Sequence, residues 1–68
     1  MTGVIARLRK DKGFGFIRST DGRVEYYFHR MDLALEVPFA SLEEGDAVEF
    51  EGESAPKGPK AVRVARAV

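Results

Sequence analysis

Residues 13–29, Gly13-Phe14-Gly15-Phe16-Ile17-Arg18-Ser19-Thr20-Asp21-Gly22-Arg23-Val24-Glu25-Tyr26-Tyr27-Phe28-His29, decide how this chain folds. Two short runs of rings and branched side chains flank Asp21-Gly22, a strong hairpin turn signal. Five of the seven aromatic residues fall between positions 14 and 28. Side chains alternate along a strand, so Phe14 and Phe16 share one face, and Gly15 and Ile17 the other. On the second arm Tyr27 and His29 share a face, and Tyr26 and Phe28 take the opposite one. A hairpin that covers one side of a core needs a single apolar face. Here both faces of the second arm carry rings, so one set stands in solvent. One packing buries Phe14 and Phe16 and turns the glycines outward. Against it, Ile17 is the natural core residue of that strand, and an outward Gly15 weakens the strand with nothing gained. The expectation is that Phe14 and Phe16 face water, above a glycine that permits curvature and close backbone packing.

The flanking sequence extends the same pattern. Val4-Ile5-Ala6-Arg7-Leu8 is a short apolar stretch that leads through Arg9-Lys10-Asp11-Lys12 into the hairpin, making a three-strand meander. Met31-Asp32-Leu33-Ala34-Leu35-Glu36-Val37 has room for a helical turn or two before Pro38 ends it. Ser41 and Glu44 have capping-box spacing, but Gly45 follows at once, which favours a tight turn. Ala47-Val48-Glu49-Phe50-Glu51 alternates, with Val48 and Phe50 inward. Gly52 to Pro59 reads as a loop, and Lys60 to Val68 as a last strand with Val62 and Val64 facing opposite to Arg63. Five short strands in so small a chain favour closure into a barrel, which leaves no edge to protect.

Composition narrows the class. Sixty-eight residues leave room for one domain, residues 1–68. The absence of cysteine fits a reducing cytoplasm and excludes a disulfide scaffold or thiolate metal site. Apolar runs of four or five residues fall far short of the roughly 20 that a membrane span needs. The opening Met1-Thr2-Gly3-Val4-Ile5 lacks the order of a signal peptide. A small, soluble, cytoplasmic domain is expected. Its net charge is zero, yet unevenly laid out. Residues 1–30 carry seven basic and three acidic side chains, residues 31–56 eight acidic and no basic, and residues 57–68 four basic and no acidic. If the two basic ends meet, a positive face results that attracts phosphate despite neutrality overall. With Arg7, Lys12, Arg18 and Arg30 around it, the ring patch suits unpaired bases, each of which offers a face to stack and a phosphate alongside.

Lys12-Gly13-Phe14-Gly15-Phe16-Ile17 followed by Tyr26-Tyr27-Phe28-His29 resembles the bacterial cold-shock domain, the first segment matching its first ribonucleoprotein motif and the second a variant of its second. Ser41-Leu42-Glu43-Glu44-Gly45, Lys57-Gly58-Pro59 and Gly3 extend the resemblance over essentially the whole chain. RNA-recognition motif domains share Gly-Phe-Gly-Phe, but they place their motifs in the opposite order and need two amphipathic helices that this sequence lacks. The resemblance implies an all-β, five-stranded antiparallel barrel of the oligonucleotide-binding type, holding single-stranded RNA or DNA. It implies Phe14, Phe16, Tyr27 and His29 as a stacking platform, Phe39 as the ring of a long loop, Lys12 and Lys57 along the backbone track, and Glu25 against a base edge. Two departures stand out. Arg7 replaces a usual tryptophan and Arg30 a usual aromatic, exchanging ring area for charge and a planar guanidinium that still stacks.

The expected function is binding of single-stranded nucleic acid with low sequence specificity, as an RNA chaperone or regulator of transcription or translation. The alternative is a small barrel that binds protein and has lost strong nucleic-acid binding. An enzyme is not expected: His29 has no nucleophile, second histidine or cysteine to work with. No metal, cofactor, membrane or small-molecule substrate is called for, and a monomer is expected with a dimer left open. Phe28, Phe50 and Tyr26 are read as core, and Arg63 and Arg66 as a solvated strand face.

Overall fold

The computed structural model describes residues 1–34 and 38–67. Its strands are β1 (Thr2–Arg9), β2 (Phe14–Ser19), β3 (Glu25–His29), β4 (Ala47–Ala55) and β5 (Gly58–Arg66). They close into a barrel in the order β1-β2-β3-β5-β4, with β4 returning to β1. The first three form the meander expected from the sequence. Neighbours pair antiparallel except β3 and β5, which run parallel and meet in register at Tyr27 and Lys60. Two 3₁₀ turns, Arg30–Asp32 and Phe39–Ser41, lie in the crossover between β3 and β4. The helical turn expected over residues 31–37 is thus a single 3₁₀ turn at its start, while positions 35–37 lie outside the described residues.

Every strand contributes to one core. Ile5, Ile17, Phe28, Val48, Phe50, Ala61 and Val64 point inward with Leu42 from the crossover, none more than 3% exposed. Leu8, Tyr26, Leu33 and Phe39 pack against this cluster. The alternation expected along β4 holds, with Val48 and Phe50 inside and Glu49 and Glu51 outside. Tyr26 lies against Phe50, ring centroids 5.0 Å apart, with its hydroxyl near the sulfur of Met1.

Two expectations along the C-terminal third need correction. Residues 52–59 are not a loop: β4 runs on to Ala55 and β5 starts at Gly58, so only Pro56 and Lys57 turn the chain. Gly58, at φ +121°, takes a conformation that a side chain would oppose, and lets the hairpin reverse within two residues. Nor do Val62 and Val64 share the inward face. Ala61 and Val64 are buried while Val62 is half-exposed, because Arg63 sits at φ +53° where the register between β4 and β5 slips. One extra residue in β5 opposite Phe50 makes a β-bulge and moves the inward positions from two residues apart to three. A second slip, between Ile5 and Arg7 of β1, sets Ala6 aside and puts Arg7 opposite Phe16.

The β2–β3 turn is held by Asp21, whose carboxylate accepts from the Ser19 hydroxyl and the Arg23 backbone N–H. These donors, the hydroxyl first, hold its carboxyl below the ordinary range.

Gly15 is the tightest point of the hairpin. A Cβ there would stand 2.7 Å from the Arg7 carbonyl oxygen and 2.9 Å from Cε1 of Phe28. Both neighbours are fixed, one as backbone and the other as a fully buried ring. Gly15→Ala is therefore expected to cost about 1–3 kcal/mol by overpacking. A lowered urea midpoint with an unchanged slope would show this, and an unchanged midpoint would contradict it.

Candidate functional site

Because Gly15 and Ile17 face the core, Phe14 and Phe16 face out, and antiparallel pairing sets them beside β3. Phe14 lies opposite His29 and Phe16 opposite Tyr27, with Arg18 opposite Glu25. On the other side Arg9 lies opposite Phe14 and Arg7 opposite Phe16. The outer face of this three-stranded surface thus carries two ranks across the strands, Arg9–Phe14–His29 and Arg7–Phe16–Tyr27, the latter continuing to Lys60.

Three rings in these ranks touch one another. The Phe14 and Phe16 centroids are 5.9 Å apart and nearly perpendicular, those of Phe14 and Tyr27 are 5.6 Å apart, and those of Phe16 and Tyr27 are 5.8 Å apart. Tyr27 is exposed, and Phe14, Phe16 and His29 are half-buried. Aromatic contacts of this kind are worth about 0.5–1.5 kcal/mol each beyond the area they bury. The guanidinium carbon of Arg7 lies 5.7 Å from the Phe16 centroid, a cation–π contact. Arginine in this position therefore spreads over the neighbouring ring and adds positive charge at the surface.

The remaining candidates divide by location. Lys57 sits in the β4–β5 turn, and with Pro56, Pro59 and Lys60 it faces Phe16 and Tyr27 across a groove of about 490 Å³. Lys12 is exposed in the turn between β1 and β2. Arg30 starts the 3₁₀ turn after β3, donating its backbone N–H to the Gly13 carbonyl, and the stem of its side chain lies beside Gly13. Glu25 is at the far end of the face and pairs with Arg18 at 2.9 Å. Phe39 does not join the ring cluster. It stands edge-on to buried Phe28, centroids 6.4 Å apart, and packs against the core. The structure thus brings together Phe14, Phe16, Tyr27, His29 and Arg7, sets Lys57 across the groove, and gives Phe39 a packing contact.

The charge blocks meet only in part. Lys57 and Lys60 come to the ring side, whereas Arg63 and Arg66 pair with Glu51 and Asp46 of the acidic block. Two contributors were missed from the sequence. Lys60 reaches the ring face only through the parallel β3–β5 junction, which no local pattern announces. Asp32 lies beneath it, its carboxylate 3.4 Å from the Lys60 ammonium.

Residues 1–67 match the family described as the 'Cold-shock' DNA-binding domain. The chain belongs to the cold-shock domain family. It is 41% identical over 64 residues to the cold shock-like protein CspI of Escherichia coli strain K12, covering 94% of this chain and 90% of that one. Similarity to the probable cold shock protein A of Mycobacterium tuberculosis is 39% over 62 residues, 91% of each chain. Among solved structures, the Drosophila Unr CSD456 chain superposes with a TM-score of 0.75 at 25% identity, covering 98% of this chain and 26% of that longer one. The cold-shock barrel and its outward ring face are thus joined in one chain, and the family is one of nucleic-acid-binding domains.

Proposed function

We propose that this cold-shock domain binds single-stranded nucleic acid by laying bases on Phe14, Phe16, Tyr27 and His29. The observation that carries this is the mutual contact of Phe14, Phe16 and Tyr27 on the solvent side of the barrel. A base in a duplex hides its face against its neighbours, so a surface of outward aromatic rings selects unpaired strands. Backbone phosphates would run past Arg7, Lys12, Arg30 and Lys57, with Glu25 against a base edge. Phe39 enters only through the part of its ring left exposed. Recognition by stacking tolerates any base, so sequence specificity is low. In this reading the protein serves in the cytoplasm as an RNA chaperone or regulator that keeps unpaired strands from closing into hairpins, and the relatives it resembles are named as cold shock proteins.

Fluorescence anisotropy with labelled single and double strands, in RNA and DNA form, tests the reading. Single strands are expected to bind far more tightly than duplex, and equal affinity for both would overturn it. Salt supplies a second prediction. Two to four phosphates neutralised by these cations give a slope of log K against log salt of roughly −1.4 to −2.8 for single strands. A flat response would show that the arginines at positions 7 and 30 take no part. Relatives with rings at those two positions are expected to bind more tightly and to respond less to salt.

A further inference from the structure

His29 differs from the other members of the ring face in being held by polar contacts at the end of its strand. The Met31 backbone N–H donates to its Nδ1 at 3.1 Å, and its own backbone N–H donates to Oδ2 of Asp32 at 2.9 Å. An Nδ1 that accepts a hydrogen bond carries no proton, so the neutral imidazole bears its hydrogen on Nε2. The two bonds close reciprocally around the Arg30–Asp32 turn, in the manner of a capping box.

Asp32 ties more than the turn. Its second oxygen, Oδ1, lies 3.4 Å from Nζ of Lys60, and its side chain is only 12% exposed. A carboxylate so far removed from water requires these partners. Lys60 is also the residue that meets Tyr27 where β3 and β5 pair. One carboxylate therefore joins the end of β3, the turn that follows and the strand across the seam.

We propose that Asp32 is a positioning residue that fixes the His29 imidazole as the Nε2–H tautomer and presents that N–H to the ligand. The proposal rests on the reading of the ring face as a base-binding platform. It adds a directional donor, one suited to a base carbonyl or ring nitrogen, to a surface otherwise read as stacking rings with the Glu25 acceptor at its far end. The contact that matters is the acceptor offered to the His29 backbone, and the ion pair with Lys60 is secondary.

Long-range ¹H–¹⁵N NMR of the imidazole, together with binding of a short labelled oligothymidylate, tests it. The free protein is expected to show a single Nε2–H tautomer. Asp32→Asn, which keeps an acceptor and loses the charge, and Lys60→Met, which removes only the ion pair, are expected to retain it. Asp32→Ala is expected to give a tautomer mixture and binding weaker by about threefold to tenfold, a part of one stacking contact. In a His29→Ala background, Asp32→Ala is expected to change affinity no further. Asp32→Leu, which fills similar space without an acceptor, serves as companion should the alanine variant not fold. A single tautomer retained in Asp32→Ala or Asp32→Leu would overturn the proposal, as would a mixture in Lys60→Met or an equal loss of binding without His29. If the unaltered protein binds no oligothymidylate, the platform reading fails, while the tautomer measurement still decides whether Asp32 positions His29.

Discussion

Phe28→Ala is expected to leave this chain unfolded in conditions where Tyr27→Ala leaves it folded. The two residues are adjacent in β3 and similar in size, but strand alternation sends them to opposite sides of the barrel wall. Phe28 is fully buried, touches the backbone glycine of β2 and stacks edge-on with Phe39 from the crossover. Its truncation removes the largest of the fully buried side chains and leaves a cavity bounded by strands that cannot collapse independently. Such losses run at about 3–5 kcal/mol. A single core in a chain of this size rarely supplies more than about 3–5 kcal/mol in total. Far-ultraviolet circular dichroism on heating reads this directly. A cooperative melt in Phe28→Ala within a few degrees of the parent would mean that the ring is not part of the core.

Tyr27→Ala is expected to do the converse, weakening single-strand binding by about 1–3 kcal/mol while the barrel keeps its fold. Tyr27 is 37% exposed, and its ring meets those of Phe14 and Phe16 in the surface cluster. Its removal takes away one stacking surface and loosens the rings of Phe14 and Phe16 that lean on it. Phe16→Ala is expected to cause a loss of the same order, because its one ring is both a stacking surface and the ring under Arg7. Residues in contact couple, so the double variant should lose less or more than the sum of the two. Anisotropy titrations of the single and double variants check this. Unchanged affinity in Tyr27→Ala would remove the ring from the site, and loss of the fold would mean that it was structural.

Much of this arrangement was legible in the sequence because strand alternation is strict over short runs. Ile17 against Phe16, and Phe28 against Tyr27, assign opposite faces with no knowledge of what pairs with what. The Asp21-Gly22 turn then fixes the partners of β2. Legibility failed where the backbone departs from simple alternation. Arg63 in a left-handed conformation shifts the inward positions of β5, so Val62 looked like a core residue and Ala61 did not. Prolines and glycines over 52–59 suggested a loop, yet Pro59 and Gly52 are accommodated in a hairpin with a two-residue turn. The site was legible to the same degree. Phe14, Phe16, Tyr27 and His29 follow from local pattern and resemblance. Lys60 and Asp32 depend on the parallel junction that pairs Tyr27 with the sequence-distant Lys60, and the contact of Phe39 with Phe28 depends on the path of the crossover.

Backbone amide NMR during titration with a single-stranded oligonucleotide tests the central claim most directly. If the outward rings of β2 and β3 hold the bases, signals of residues 12–18 and 25–30 move, while those of Glu49, Glu51 and Glu53 on the acidic strand stay where they are. Stationary signals from both ring strands, with movement confined to the acidic strand, would contradict it.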